Sequence, residues 1–151
     1  NMVGVGPHDK LKVRGPGTVG TIWTGTLRRP YLYTMHHAAR ILVEKCDYVS
    51  GPGYLTGGNS RREVTGFDTE GPQLLFTPIA IFDFEPTSKR LRLKSVNPGY
   101  SVDDVKKNTG FAPLLPADVP ATPAPTEHEL FVLRNQVDRD GVLKGVRATV
   151  G

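Results

Sequence analysis

The sequence predicts an α/β domain: an open sheet carrying a β-hairpin, followed by a C-terminal helix. Three features carry that expectation. Leu74–Phe84 and Arg90–Val96 are strand-like runs joined by the turn residues Glu85-Pro86-Thr87-Ser88. Two later segments open with helix-capping chemistry at Ser101 and Thr126. Seventeen glycines and thirteen prolines punctuate the chain too often for a helical bundle. At 151 residues the chain is long enough for one domain with a sizeable core, and 1–151 is read as one unit.

Taken in order, residues 1–29 read as loop-rich around a glycine segment. Tyr31–Met35 is aromatic and apolar and is expected to be a buried strand. His36–Cys46 is expected to continue as a short helix. Ser50-Gly51-Pro52-Gly53 and Gly57-Gly58-Asn59-Ser60 are turn signals on either side of Tyr54-Leu55. Pro78 interrupts the first hairpin strand. The second alternates basic and apolar residues, as a strand with one wet face does.

Ser101 caps a helix over Val102–Asn108, with Asp103 and Asp104 in its first turn and Lys106 and Lys107 in its last. Gly110 is placed to end it. Residues 112–125, with five of the thirteen prolines, should form an extended arm lying on the surface or along a partner. A capping box at Thr126 and Glu129 opens a helix over 126–138, on which Leu130, Leu133 and Val137 share one face. No internal repeat is visible.

Composition narrows the function classes. No window approaches the roughly 18 apolar residues of a membrane span, and residues 1–20 have neither the basic start nor the apolar run of a signal peptide. A first residue of Asn rather than Met predicts a processed or incomplete polypeptide. One cysteine, Cys46, excludes an internal disulfide and the usual zinc sites and points to a reducing compartment, hence a cytoplasmic location. Cys46 itself is expected to be buried and inert. The net charge of +4 comes with no aromatic-interleaved basic module, so a polyanionic small ligand explains it as well as nucleic acid would.

The segment Gly15-Pro16-Gly17-Thr18-Val19-Gly20 matches G-x-G-x-x-G. As a dinucleotide fingerprint it needs a preceding strand, a following helix and an acidic residue about 20 positions on. Lys12-Val13-Arg14 can end a strand. Thr21–Thr26 is β-branched and glycine-interrupted, a poor helix start. The first downstream carboxylate is Glu44, and Pro16 removes an amide donor. A phosphate P-loop is excluded because no Gly-Lys-Ser/Thr follows. A ligand-free tight turn is the remaining reading of this motif taken alone.

Candidate chemistry is sparse. His36 and His37 point to opposite faces if they lie on a strand, so at most one enters a given pocket. The sequence fixes no partner for either, which favours a structural role. The carboxylates are accounted for by helix starts and turns, or lack a nucleophile's context. No metal-ligand pattern is present. The residues themselves yield an α/β domain with a glycine loop and no visible catalytic centre.

The run from Val43 through Ser50-Gly51-Pro52-Gly53-Tyr54-Leu55-Thr56-Gly57 resembles the β subunit of the family I coenzyme A transferases, of glutaconate and 3-oxoacid type. The likeness continues through Ala80–Phe84, Leu91-Arg92-Leu93, Pro98–Val105, Thr109-Gly110-Phe111, Pro125–Leu130 and Leu133-Arg134, over residues 6 to 143. It implies the C-terminal part of a CoA-transferase-like β-type domain, incomplete without an N-terminal segment. It implies a CoA thioester as substrate, no permanently bound cofactor, and assembly with an α-type subunit. The glycine segment then becomes a loop at the thioester, with Gly15, Gly17, Thr18, Val19 and Gly20 near the acyl group and Gly51 and Gly53 in a turn near the coenzyme. Trp23, His36 and His37 are candidates for substrate contact.

Two departures from the family pattern stand out. Val19 replaces a glycine, and Thr21-Ile22-Trp23 follows where the family carries alanine and often an acidic residue. No glutamate here has the Ser-Glu-Asn-Gly context of the family's nucleophile, so that residue is expected outside this chain. Ring-opening hydrolases and a decarboxylase of the same superfamily are therefore alternatives to CoA transfer, and a non-catalytic CoA-binding or scaffolding subunit is a third.

Overall fold

The structure, a computed structural model, describes residues 2–7, 9–16, 19–145 and 148–151. Its centre is a four-stranded sheet made of β3 (Tyr31–Tyr33), β5 (Leu74–Phe76), β6 (Ala80–Phe84) and β7 (Leu91–Val96), in that spatial order. β3 runs parallel to β5, and β5, β6 and β7 are successively antiparallel. Of the hairpin expected between 74–84 and 90–96, only β6–β7 forms as such: the first run is two strands, β5 and β6, which turn back on each other between Thr77 and Ala80. The β6–β7 turn is tied by Glu85, whose carboxylate accepts from the Thr87 and Ser88 amides and the Ser88 hydroxyl. Those bonds bring the Glu85 pKa down to about 2.

Strand alternation puts Ala80 and Phe82 on the inner face, against Leu93. A bulge adds one residue to β7: Phe82 faces Leu93 and Ile81 faces Ser95, which leaves Lys94 as the extra residue. Simple alternation would send Val96 to the opposite face from Leu93. The bulge resets the phase, so Leu93 and Val96 both join the core. Ile79 and Val105, from the helix α3 (Val102–Asn108), complete it. Ser101 caps α3 in a reciprocal box with Asp104.

The 112–125 arm lies along this chain's own sheet. It accompanies β7 in two pieces: Leu114 exchanges bonds with Leu93 and Leu91 at 2.8 and 2.9 Å, and Pro120 and Thr122 bond Val96 at 3.1 and 2.7 Å. Proline can serve here because Pro120 acts as an acceptor and needs no N–H. The opposite margin differs from expectation too. β3 is the end strand of the sheet, and its Tyr31 and Tyr33 are 61% and 78% exposed, so Tyr31–Met35 is not buried. An aromatic run signals strand, and here the aromatics lie on an open edge.

Three further expectations change. β1 (Met2–Val5) pairs antiparallel with β2 (Val13–Pro16), where loop was expected. The helix expected over 36–46 is absent. His36–His37 is instead a two-residue strand, β4, beside β8 (Thr149–Val150), and a single turn follows at Ala38, whose carbonyl accepts from Ile41 and Leu42. Gly110 does not end α3 in a left-handed conformation. The cap is Thr109, with extended backbone. Gly110 is needed for close approach: a Cβ there would lie 2.5 Å from the Ala39 carbonyl oxygen and 2.7 Å from that of Leu42.

The C-terminal helix begins at the predicted capping box. α4 (Glu127–Val132) passes into a wider π turn over Leu133–Val137. Phe131, Leu133 and Val137 on it are exposed. No helix among the described residues is long and apolar enough to cross a membrane.

The Gly110 packing gives a direct expectation. Gly110→Ala forces the added methyl against two backbone carbonyls and should lower stability by about 1–3 kcal/mol. Urea unfolding of the two proteins measures the difference.

Candidate functional site

The glycine segment sits where a strand feeds a helix. β2 ends at Pro16, and α1 (Val19–Thr26) begins shortly after it. Helix formation over the β-branched run is the departure from expectation; tertiary contacts override weak propensity. A helix start leaves its first amides without intrahelical partners, so the junction can donate hydrogen bonds to a ligand. Gly15 lies in β2 opposite Val3, and Val19 and Gly20 open α1. Gly17 and Thr18 lie outside the described residues. The dinucleotide reading gains a strand and a helix yet fails on topology. Among the described residues β2 pairs with β1, antiparallel, so the strand–helix unit does not return to a parallel neighbour. Arg40 stands where the acidic residue is required.

What fixes α1 is Arg61, in the short helix α2 (Ser60–Thr65). Arg61 is buried, with 3% exposure, and its hydrogen bonds go to carbonyls and a hydroxyl, not to a carboxylate. One terminal nitrogen donates to the Gly53 carbonyl at 2.8 Å. The other donates to the carbonyls of Thr24 and Gly25 at 3.0 and 2.8 Å and to the Thr69 hydroxyl at 2.6 Å. The guanidinium therefore joins the last turn of α1 to the Ser50–Gly53 turn. A cation also complements the carbonyl end of a helix. Burial lowers the Arg61 pKa from its ordinary value, but a guanidinium stays charged. Phe67 closes the site: its ring lies 6.0 Å from the guanidinium carbon, and a Cβ on Gly25 would be 2.6 Å from its edge.

Two of the predicted neighbourhoods thus come together, α1 with the 50–53 turn. Gly53 has a left-handed backbone, with φ of 47°. Trp23 is on α1 and 54% exposed. The histidines belong elsewhere. His36 is exposed and its Nδ1 lies 2.6 Å from the Thr149 hydroxyl. His37 is fully buried, with Nδ1 at 2.9 Å from Thr77 Oγ1 and Nε2 at 3.1 Å from Thr109 Oγ1. As alternation requires, the two rings face opposite ways. Both His37 nitrogens are occupied by hydroxyls, which suits a core-fixing imidazole. Cys46 is exposed, against the expectation of a buried thiol. Among the described residues no three potential metal ligands cluster.

Sequence reasoning missed Arg61 as the organising side chain. It reads as half of an ordinary basic pair, Arg61-Arg62, and only the fold separates the buried member from the exposed one.

No family model matches the chain. Individual relatives do. The chain is 31% identical to a subunit of the 3-oxoadipate CoA-transferase from Pseudomonas knackmussii, over 89% of this chain and 51% of that protein. It is 30% identical to the IpdB component of a cholesterol ring-cleaving hydrolase from Rhodococcus jostii, over 75% of this chain and 44% of that one. Its fold matches the crystal structure of glutaconate coenzyme A-transferase from Acidaminococcus fermentans with a TM-score of 0.79 and 30% identity, over 93% of this chain and 53% of that chain. The chain therefore spans about half the length of the relatives it matches.

Two outcomes follow from the site. Arg61→Ala removes a charged donor from four acceptors and should cost about 2–3 kcal/mol of stability, seen as an earlier denaturant midpoint. Burial lowers the His37 pKa below its ordinary 6.5. The unfolded chain then binds the proton more readily than the folded one, so stability should fall as pH drops below 6.5 and continue to fall until the folded-state pKa is passed. His37→Gln should flatten that slope in thermal unfolding measured across the same range.

Proposed function

We propose that this chain, a homologue of coenzyme A transferase subunits, forms one wall of an active site that works on CoA thioesters. The observation that carries the reading is the glycine segment at the β2–α1 junction, with α1 held by Arg61 against the 50–53 turn. Gly15, Gly17, Thr18, Val19 and Gly20 line the thioester end. The backbone amides of the junction donate to the carbonyl oxygen as negative charge develops on it, an effect worth about 10²–10³ in rate for one such donor. Glycine allows that approach because it has no Cβ. Gly51 and Gly53 lie toward the coenzyme, and Trp23 borders the acyl group.

The reaction this wall suits best is CoA transfer. A glutamate outside this chain attacks the thioester carbonyl, CoA thiolate leaves, and an acyl anhydride forms. The thiolate then attacks the glutamyl carbonyl and releases the acyl group as a carboxylate, leaving a glutamyl-CoA thioester. The acceptor carboxylate repeats the sequence in reverse order. Such covalent catalysis gives ping-pong kinetics. The glutamate comes from an N-terminal β-type segment, and an α-type subunit completes the site. The assembly is cytoplasmic, in keeping with a single exposed thiol.

Hydrolysis of a CoA thioester is the second reading. The relative named as a ring-cleaving hydrolase favours it, as do Val19 and Trp23 where the transferase pattern has smaller residues.

One experiment separates the two. The assembled protein is incubated with an acyl-CoA, the adduct is trapped with borohydride, and the chains are weighed by mass spectrometry. Transfer predicts a modified glutamate on a segment other than this one; turnover without any adduct supports hydrolysis. In either case Gly17→Val should reduce turnover by about 10²-fold or more, since its side chain blocks the approach to the thioester. Unchanged turnover would remove the glycine loop from the chemistry and favour a scaffolding role.

A further inference from the structure

Arg61 is buried in a way that stability alone does not favour. Among the described residues its hydrogen bonds reach no carboxylate, and its buried Nε has no hydrogen-bond partner. An apolar group of similar volume would close the same joint without the cost of burying a charge. What the guanidinium supplies instead is direction. Its terminal nitrogens aim their donors from one rigid plane, which fixes the acceptors in angle as well as in distance.

The base of the side chain is fixed too. α2 is clamped at both ends: the Ser60 hydroxyl donates to the Tyr54 and Gly57 carbonyls at 2.9 and 2.7 Å, and the Thr65 hydroxyl donates to the Arg61 carbonyl at 2.6 Å. The 50–53 turn, which receives one of the donors at Gly53, runs into Leu55. Leu55 is a non-glycine residue in left-handed backbone, at φ 51°, and its amide donates to the Pro52 carbonyl at 2.9 Å. Such backbone persists where its surroundings over-determine it, and it clusters at functional sites.

The far side of the joint is the end of α1. The last carbonyls of a helix have no intrahelical amide to meet. Arg61 meets two of them, Thr24 and Gly25, and the Thr69 hydroxyl also donates to Gly25 at 3.2 Å. A Cβ on Gly25 would meet the Phe67 ring at 2.6 Å and Pro52 at 3.2 Å, so the turn is blocked from the side as well. α1 is eight residues, about 12 Å long. A hydrogen-bonded helix this short moves as a rod, and a displacement of its last turn is carried to its first. The first turn holds the amides of the glycine junction. Catalysis is sensitive on that scale, since a misplacement of about 1 Å costs about 10²-fold in rate.

We propose that Arg61 is a positioning residue for the thioester step. It touches no substrate. It sets the axial position of α1 against the 50–53 turn, and so the distance between the junction amides and the carbonyl oxygen they stabilise. The assignment rests on the thioester reading of the glycine junction, and the test keeps the two apart.

The assembled protein is assayed with acetyl-, succinyl- and glutaryl-CoA, following both CoA transfer to acetate and release of free thiol, well below the unfolding midpoint of every variant. Arg61→Lys keeps the charge and loses the fork. Arg61→Ala is assayed with and without millimolar guanidinium chloride. Gly110→Ala is the control, because it weakens the fold beside Ala39 and Leu42 and leaves the α1 joint intact. Hydrogen exchange over residues 15–21 is followed in the same proteins. In Arg61→Lys, kcat should fall by about 10- to 10²-fold with KM changed by less than about twofold, and exchange over 15–21 should rise by about tenfold. Guanidinium should restore turnover to Arg61→Ala, and Gly110→Ala should keep the wild-type kcat. If Arg61→Ala does not fold, Arg61→Lys decides alone. A wild-type kcat in Arg61→Lys overturns the proposal, because charge alone then suffices. An equal loss in Gly110→Ala overturns it too, because the effect is then one of stability. If the wild type turns over none of the three thioesters, or Gly17→Val leaves turnover unchanged, the thioester reading falls. Exchange then decides the mechanical link by itself, and unchanged exchange over 15–21 in Arg61→Lys overturns that link.

Discussion

The placement of α1 against the 50–53 turn depends on one buried guanidinium. Arg61 reaches four acceptors drawn from three separate stretches of chain: Gly53, the Thr24–Gly25 end of α1, and Thr69. α1 is short, and Gly25 leaves room for the Phe67 ring and Pro52 to lie against its last turn. A planar fork with fixed donor directions is what such a junction requires; a lysine ammonium could not aim several donors so rigidly. The cost of burying the charge is offset by neutral carbonyls and one hydroxyl, without a carboxylate. That choice leaves net positive charge beneath the surface.

The sheet is organised around a different constraint. Its core strands β6 and β7 need their inner faces in phase with α3, and the bulge at Lys94 supplies the correction. The strand margin this creates is then covered by the 112–122 part of the arm. His37 fixes the same region from the other side, spanning Thr77 before β6 and Thr109 at the end of α3. The two parts of the protein thus use opposite polar strategies. Near α1 a charge holds backbone; at the core a neutral ring holds two hydroxyls.

Much of this was legible in the sequence where the signal is local. Both capping boxes announce themselves because Ser101 with Asp104, and Thr126 with Glu129, satisfy amides three residues apart. The β6–β7 hairpin follows from alternation and a turn sequence. Non-local effects were not legible. Propensity argues against a helix at Thr21–Thr26, yet contacts with Arg61 and Phe67 hold one. Tyr31 and Tyr33 carry the composition of a buried strand, but burial depends on what lies beside a strand. Gly110 sits where a helix-ending glycine is expected, although its need is space against Ala39 and Leu42. The candidate site divides in the same way: the glycine segment is visible as a motif, whereas the residue that holds the last turn of α1 is one arginine of an unremarkable pair. The family resemblance is supported by relatives at 31% and 30% identity across most of the chain.

The two margins of the four-stranded sheet are unequal. Along β7 the proline arm is already seated, while at β3 the tyrosines face outward. A sheet with two free margins can add copies of itself without limit and so form fibres. One sealed margin makes such growth self-terminating. Pro120 meets β7 through its carbonyl and has no N–H to offer a further strand, so the arm covers the core while making that margin a poor template for another strand.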